Sequence, residues 1–382
     1  MGKTLRHGYT TGACAAAAAL GAALMLRDQR IYPSVELPLP AGFSVTFPLF
    51  GQTFSAGAAR CFVVKDAGDD PDVTNGVEAH AEVTLSPHPP SPPLVKGGQG
   101  GVGGQGGIVI EGGVGIGTVT KPGLAVPVGE PAINPVPRQM ITEALAGVFT
   151  GHPFPGTLFC RLSIPDGEER AKRTLNARLG ILGGLSILGT TGVVRPISHR
   201  AWTDTIDVAL DVALAAGSPG VVLATGRSSE QAAMAELSLA EEAFVMMGDH
   251  VGYALEACHR KGVPAVVLAV QFAKLVKIAC GHPQTHVSAS RLDLEELGRW
   301  GATAGLDGDA VKKIECANTA REVYETLGPD HPLIAAVAAH GLEMARQWAP
   351  GVAVAIFLAG YGKRPARRFG EWILNSAGDK GI

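Results

Sequence analysis

The sequence predicts an α/β protein of two domains, on three observations. The chain has 382 residues, more than one hydrophobic core usually needs. Hydrophobic residues make up 46% of it and charged residues 18%, which is enough apolar material for two cores. Near residue 199 the pattern changes from short β-rich segments to alternating buried strands and helices. We therefore expect a β-rich α+β domain over residues 1–195 and an α/β domain over residues 196–382.

The first domain is predicted to begin with a helix and to continue as a sheet. The alanine-rich run 13–26 contains no proline and follows threonine and glycine residues that are typical of a helix N-cap. Short β-branched and aromatic segments then alternate with Pro and Gly turns, and we expect them to form strands of one sheet. These segments are 35–39, 43–47, 60–64 and 78–85. Further strands are predicted at 108–110 and 157–164, and a helix at 137–148.

Residues 86–107 are proline-rich and then glycine-rich, a composition that cannot bury a core. We expect this segment to be a mobile, dispensable insertion within the first domain. A long exposed loop costs little additional free energy. Its presence is therefore compatible with a stable domain.

The second domain is predicted to hold a parallel sheet with covering helices. A periodic helix at 201–216 precedes three apolar strand segments that are separated by helical stretches, an alternation typical of α/β domains. The strand segments are 221–224, 265–269 and 352–358. The joining segment 178–196 is rich in glycine, which permits either close backbone approach to a ligand or a tight crossing between domains. Its residues Gly189, Thr190 and Thr191 are candidate cofactor contacts.

Charge and cysteine content exclude several classes of function. A net charge of −3 offers no diffuse attraction for nucleic acid or an anionic membrane. The six cysteines include no C-x-x-C pair, so neither a zinc ribbon nor a disulfide framework is expected. None of the 11 histidines belongs to a compact ligand motif, and no protein-bound metal is expected. The first residues lack the features of an export signal, which predicts a cytoplasmic protein.

Two polar segments of the first domain are candidate binding or catalytic sites. Thr10 and Thr11 precede the predicted helix, where hydroxyls and backbone N–H groups can hold a carboxylate or phosphate, or simply cap the helix. The segment KDAGDDPDVTNG follows a predicted strand, and its spacing does not fit a calcium loop. It forms either a turn or a site in which crowded carboxylates raise at least one pKa. The site hypothesis assigns catalysis to Asp66 and Asp69, and substrate binding to Lys65 and Asp70.

The second domain offers two candidate cofactor positions. Thr225 and Gly226 follow a predicted buried strand, where open α/β sheets bind ligands. Asp249 precedes another helix and could either bind a ribose or cap that helix. No G-x-G-x-x-G fingerprint accompanies them, so a nicotinamide or flavin dinucleotide is not indicated.

Four long strings resemble, in order, the signatures of the cobalt-precorrin-5B (C-1)-methyltransferase family, CbiD. They are GYTTGACAAAAAL, KDAGDDPDVTNG, GVGIGTVTKPGLAVPVGEPAINPVPRQMI and LGILGGLSILGTTGVVRP. A looser similarity continues through GDHVGYALEACHRKGV, KLVKIACG and Thr285-His286, so the resemblance covers nearly the whole chain. The chain departs from the family pattern at Asn75, at Leu20 and in the segment 269–273 that leads to Lys274.

The resemblance implies an S-adenosylmethionine-dependent methyltransferase of anaerobic cobalamin synthesis. Its first domain would be similar to the second domain of ribosomal protein S5. Its substrate would be a tetrapyrrole that brings its own cobalt, and its product would be cobalt-precorrin-6A. Because this acceptor carries many carboxylates, basic residues within or beside the recognised strings are candidate substrate contacts, although each could be a solvated surface charge. These residues are Lys65, Lys121, Arg138, Arg178, Arg195 and Lys274.

Two other functions remain open from the residues alone. Gly- and Thr-rich loops could serve a phosphate-binding transferase, although the chain has no P-loop. A non-catalytic tetrapyrrole carrier would bind the same tetrapyrrole but would have no site for a methyl donor. Binding of S-adenosylmethionine would distinguish the methyltransferase hypothesis from the carrier hypothesis. A homodimer is compatible with the sequence, which does not define the oligomeric state.

Overall fold

The computed structural model describes residues 5–86, 107–151, 156–196, 198–362 and 364–371. Apart from its two end residues, the predicted insertion at 86–107 lies outside the described residues. The chain divides into two compact units, Met1–Ser198 and His199–Ile382. Helices combine with parallel and antiparallel strands, so the predicted α/β class is confirmed.

The first unit contains short strands and a small number of helices. Its helices are α1 (Thr11–Asp28), α2 (Pro135–Val148) and α3 (Gly167–Ala171). Its strands are β1 (Gly8–Tyr9), β2 (Ser34–Pro38), β3 (Ser44–Pro48), β4 (Phe50–Phe54), β5 (Ala58–Val64), β6 (Glu78–Ser86), β7 (Gly107–Gly112), β8 (Thr118–Val119), β9 (Thr157–Ser163), β10 (Ile181–Leu182) and β11 (Val193–Val194). The predicted helices at 13–26 and 137–148 are thus confirmed as α1 and α2.

Helix α1 lies at the centre of the first core, where it packs against α2 and strands β5 and β6. Alanine favours the helix and has a short side chain, so the helix backbone can approach the sheet closely. At Gly21 even a methyl group would overlap the side chain of Leu49. Thr10 caps the helix and Gln29 ends it in the left-handed conformation. The local sequence therefore defines both the element and its boundaries.

The prediction of one sheet is wrong for the first two strands. Strands β2 and β3 pair only with each other among the described residues, as an antiparallel hairpin. Strands β5 and β6 belong to a separate five-stranded sheet of order β4-β5-β6-β9-β7, in which only the β7–β9 pair is parallel. The hairpin packs on α1 instead, through Val35 and Leu37, which are buried in the same core as that helix. Burial of these side chains outweighs extension of the sheet.

The second unit alternates strands with helices. Its helices are α4 (His199–Ala215), α5 (Arg227–Glu236), α6 (Val251–Lys261), α7 (Phe272–Ala279), α8 (Leu294–Thr303), α9 (Gly308–Glu315), α10 (Ala320–Leu327) and α11 (Pro332–Trp348). Its strands are β12 (Val221–Ala224), β13 (Phe244–Met246), β14 (Ala265–Val270), β15 (Ala353–Leu358) and β16 (Arg367–Phe369).

These strands form one sheet of order β13-β12-β14-β15-β16. The first four strands run parallel and β16 is antiparallel, so the predicted parallel sheet is confirmed with one antiparallel edge strand. From β12 the chain passes first to β13 on one side and then to β14 on the other. Such a reversal opens a crevice at the carboxyl ends of β12 and β14, where open α/β sheets bind their ligands. The topology therefore directs attention to the segments that follow these strands.

Candidate functional site

A cavity of about 310 Å³ lies beside the N-terminus of α1, within the first unit. We call it the N-terminal cavity. Three stretches of chain that are far apart in sequence meet around it. Its polar lining residues are Thr10, Thr11, Lys65, Asp72, Thr74, Arg173, Thr174, Asn176 and Ser186. Of the predicted substrate contacts, the structure thus brings Thr10, Thr11 and Lys65 together.

The two threonines are held by the protein itself. The Thr10 hydroxyl accepts the N–H of Ala13 at 3.2 Å, so the predicted capping role is confirmed. The Thr11 hydroxyl accepts the N–H of Leu188 at 3.0 Å and donates to its carbonyl at 3.2 Å. The N–H of Gly12 donates to that same carbonyl at 3.0 Å. Most donors at this helix end therefore have partners, and a ligand would meet the threonine side chains rather than a row of free N–H groups.

Lys65 forms the most buried charge of the N-terminal cavity. Its side chain is 1% exposed, and its ammonium contacts the Asp72 carboxylate and donates to the Thr74 hydroxyl at 2.6 Å. The other oxygen of Asp72 accepts the Thr74 N–H and hydroxyl, both at 2.7 Å. Burial raises the pKa of Asp72, but the Lys65 charge and these hydrogen bonds outweigh it and lower the pKa overall. Asp72 is therefore ionised at neutral pH.

The other carboxylates of the acidic segment lie elsewhere. Asp66 forms a two-point ion pair with Arg6, including a bond of 2.9 Å, and also accepts the Gly68 N–H at 2.9 Å. Asp69 accepts the Arg6 N–H at 2.8 Å. Among the described residues, the carboxylate that lines the cavity is that of Asp72 rather than those of Asp66, Asp69 or Asp70.

Crowding of like charges does not raise the pKa of Asp66 or of Asp72. Hydrogen bonding from Arg6, followed by the backbone bond from Gly68, lowers the pKa of Asp66. Both shifts run in the opposite direction to the one expected from crowding, because each carboxylate has its own cation. Asp66 is therefore an anion rather than a proton reservoir at neutral pH.

Sequence reasoning missed four polar lining residues, Arg173, Thr174, Asn176 and Ser186. Asn176 donates to the Gly184 carbonyl at 3.1 Å and so holds the cavity wall. Ser186 lies within the glycine-rich string that carries the family resemblance, which was the available signal. Arg173 follows α3 in a run of mixed charges that resembles an ordinary solvated surface.

Other predicted residues of the first unit do not line this cavity. Arg138 faces Glu130, with 3.7 Å between their charged atoms. Thr190 lines a separate groove of about 710 Å³ beside α1 and α2. Gly189 has φ +129°, and an added methyl group would overlap the Thr10 side chain. This glycine therefore permits a close approach within the unit.

Lys121 and Thr191 also have local contacts. The aliphatic stem of Lys121 packs against Gly180, where an added methyl group would overlap it. The Thr191 hydroxyl accepts the N–H of Val193 at 3.3 Å. Neither residue lines the N-terminal cavity within the described part of the chain.

A second cluster lies in the second unit, at the carboxyl ends of its parallel strands. Thr225 follows β12, and its N–H donates to the Ala269 carbonyl of β14 at 3.1 Å. Asp249 follows β13, and its Oδ1 atom contacts the Lys274 ammonium and accepts the Thr285 hydroxyl at 2.7 Å. The structure thus joins the predicted residues Asp249 and Lys274, while Thr225 contacts the neighbouring strand end at Ala269. We call Asp249, Lys274 and Thr285 the strand-end cluster.

One oxygen of the strand-end cluster is available to a ligand. Both side-chain contacts of Asp249 use Oδ1, and in the described part of the chain Oδ2 has no hydrogen-bond partner. Burial raises the pKa of Asp249, whereas hydrogen bonds from Lys274 and Thr285 lower it, and the net shift is downward. Asp249 therefore presents an ionised acceptor beside the sheet crevice.

Lys277 is a further cation near this cluster that sequence reasoning missed. It donates to the carbonyls of Thr285 at 2.9 Å and Ser290 at 3.3 Å. Burial, followed by repulsion from Lys274, lowers its pKa. Lys277 thereby orders the loop that carries Thr285.

Among the residues that the structure describes, no helix is long and apolar enough to cross a membrane. Within the same residues, no group of three or more His, Cys, Asp or Glu side chains is arranged to hold a metal ion.

Comparison with known proteins places the chain in a family. The family model CbiD matches residues 1–196, and the model "CbiD, C-terminal domain" matches residues 284–365. A Geobacter sulfurreducens protein named cobalt-precorrin-5B C(1)-methyltransferase is 57% identical over 363 residues, 94% of this chain and 97% of that protein. A Geobacter metallireducens protein of the same name is 55% identical, with the same coverage.

A solved structure also matches. The crystal structure of cobalamin biosynthesis protein (cbiD) from Archaeoglobus fulgidus is 29% identical and matches 71% of this chain and 78% of that chain, with a TM-score of 0.38. The family models and the Geobacter relatives are sufficient to assign the chain to a family. The chain belongs to the CbiD family.

Proposed function

We propose that this protein methylates C-1 of cobalt-precorrin-5B with S-adenosylmethionine and forms cobalt-precorrin-6A. The observation that carries the proposal is the 57% identity, over 94% of the chain, to a protein named for this methylation. The departures at Asn75, Leu20 and 269–273 are compatible with the same reaction, because positioning and exclusion of water can supply most of the acceleration of a methyl transfer.

The strand-end cluster suits the methyl donor. When bound, S-adenosylmethionine supplies a methyl group on a cationic sulfonium; its carbon–sulfur bond breaks as the bond to C-1 forms, and the electron pair stays on sulfur. Asp249 Oδ2 could accept hydrogen bonds from the ribose hydroxyls, while Lys274 and Thr285 keep its carboxylate in place. Thr225 and Gly226 at the end of β12 adjoin the crevice where such ligands bind.

The first unit suits an acidic acceptor. Lys65 and the hydroxyls of Thr10 and Thr11 line its cavity, so the unit offers polar contacts for a carboxylate. Asp66 and Asp69 stay candidates for orienting the acceptor or handling a proton, and the lowered pKa of Asp66 favours an electrostatic role.

The donor site is tested by titrating purified protein with S-adenosylhomocysteine in a calorimeter. We expect micromolar affinity, about 7 to 8 kcal/mol, and at least tenfold weaker binding by Asp249→Asn. Asp211→Asn is the matched control, because Asp211 pairs with Lys261 at 2.6 Å in the same unit, on helix α4. Absence of binding by the wild type at millimolar ligand would contradict the methyltransferase proposal.

The reaction is tested by incubating the protein with S-adenosylmethionine and cobalt-precorrin-5B and following methylation by mass spectrometry. A tetrapyrrole carrier would bind the acceptor but neither bind the donor nor form product. A phosphate-binding transferase would respond to phosphate donors instead. The cytoplasmic location and the homodimer are separate predictions that fractionation and light scattering can test.

A further inference from the structure

We propose that the N-terminal cavity binds one carboxylate arm of the tetrapyrrole, with Arg173 and Ser186 as direct contacts. This inference rests on the proposed function, because it takes the acceptor to be a macrocycle that carries carboxylate side chains. It assigns a binding role to two residues that lie in different segments of the first unit.

Ser186 provides the first observation. Its residue is 8% exposed and lines the cavity. Within the described ranges its hydroxyl has no hydrogen-bond partner, although its neighbours Thr10, Thr11 and Thr74 all bond to protein groups. The oxygen is still reachable from the cavity, since the buried side-chain atom without a partner among the described residues is Tyr324 Oη rather than Ser186 Oγ. The Ser186 hydroxyl is thus available to donate to an acceptor inside the cavity.

The charge of the cavity defines the class of ligand. The Lys65 ammonium is matched by the Asp72 carboxylate, so this pair contributes no net charge. Arg173 is exposed at the same cavity and forms no ion pair with any described residue. Arg173 thus supplies a cation that no ion pair among the described residues holds, although Glu169 lies close enough to interact with it, and such a cation suits a monoanion. A phosphate dianion would carry one more negative charge than a carboxylate opposite the single arginine, so a carboxylate is favoured.

Size and apolar lining define how much of the acceptor enters. The cavity of about 310 Å³ is at the lower end of the range for ligand pockets and is too small for a macrocycle of four pyrrole-derived rings. Val73, Leu185, Leu188 and Val194 supply apolar surface. A carboxylate on a short methylene stem matches this combination, with the stem against the apolar side chains and its oxygens toward Arg173 and Ser186. The rings stay outside the cavity.

The test is equilibrium binding of cobalt-precorrin-5B, followed by absorbance, to the wild type, Arg173→Gln and Ser186→Ala. Loss of a hydrogen bond to a charged group should weaken binding by about tenfold to a hundredfold in each variant. S-adenosylhomocysteine affinity should not change. The matched control is Arg346→Gln, an exposed arginine of α11 that forms no ion pair with described residues, and it should bind like the wild type. Inorganic phosphate at millimolar concentration should compete poorly, and strong competition by phosphate would overturn the assignment to a carboxylate.

Failure of this inference is distinguishable from failure of the proposed function. A wild type that binds both the tetrapyrrole and S-adenosylhomocysteine, with equally tight tetrapyrrole binding by Arg173→Gln and Ser186→Ala, would overturn the cavity assignment alone. A wild type that binds neither ligand would contradict the proposed function and this inference with it.

Discussion

The ammonium of Lys65 and the carboxylate of Asp72 form an ion pair at the wall of the N-terminal cavity, although the Lys65 side chain is 1% exposed. A buried ammonium without a counter-charge is costly, so the lysine depends on this partner. Asp72 itself keeps 23% exposure and a second set of bonds from Thr74. The two members of the pair are therefore not equivalent.

Asp72→Asn should destabilise the protein more than Lys65→Met. The asparagine leaves the buried ammonium unmatched and should lower the free energy of unfolding by about 2 to 3 kcal/mol, whereas the methionine leaves a carboxylate that water can still reach. Urea denaturation of both variants measures the difference. Equal stability of Asp72→Asn and the wild type would show that the ammonium is solvated or finds another partner.

Asp66→Asn should lower turnover by about a hundredfold with little change in melting temperature. Its ion pair with Arg6 is exposed on both sides, and exposed pairs add little stability. Arg6→Gln is the control, since it breaks the same pair but keeps the carboxylate, and it should retain most activity. An equal loss of activity in both variants would indicate that Asp66 acts by holding the N-terminal segment. Wild-type turnover in Asp66→Asn would indicate that the carboxylate only stabilises the turn.

Gly189→Ala should destabilise the first unit more than Gly183→Ala. Both glycines have positive φ, +129° and +81°, so each alanine costs about 1 kcal/mol or more in backbone strain. Only at Gly189 does the added methyl group also overlap Thr10, while nothing lies within 4 Å at Gly183. Thermal melting compares the two variants. If they lose equal stability, Thr10 can move aside at no cost.

Acid should destabilise the protein through carboxyls whose pKa is lowered by folding. Cationic and hydrogen-bonding partners lower the pKa of Asp28, Asp72 and Asp249. Stability from a lowered pKa is fully present above the unfolded value of about 3.9 and is lost as the pH falls through the folded value. These groups should therefore have little effect on the melting temperature above pH ~5. At pH values below ~4 the melting temperature should decrease. Asp72→Asn should show a shallower fall, and an unchanged fall would exclude Asp72 as a contributor.

The sequence by itself determined the elements that depend on neighbouring residues. The alanine run and Thr10 predict α1 and its cap, because propensity and capping act within one or two turns. The apolar segments of the second unit predict β12, β14 and β15, since buried parallel strands are apolar on both faces. Long uncommon strings also led to the family, which the comparisons confirmed.

Tertiary structure decided which side chains meet. Of four neighbouring carboxylates, that of Asp72 lines the cavity and pairs with Lys65, whereas that of Asp66 pairs with Arg6. The fold also places Ser186 beside residues that lie more than a hundred positions earlier in the chain. It also separates the hairpin β2–β3 from the main sheet. The local sequence pattern does not predict these contacts, because each results from competition among distant residues for burial, hydrogen bonds and counter-charges. Only the folded chain brings those residues within reach of one another.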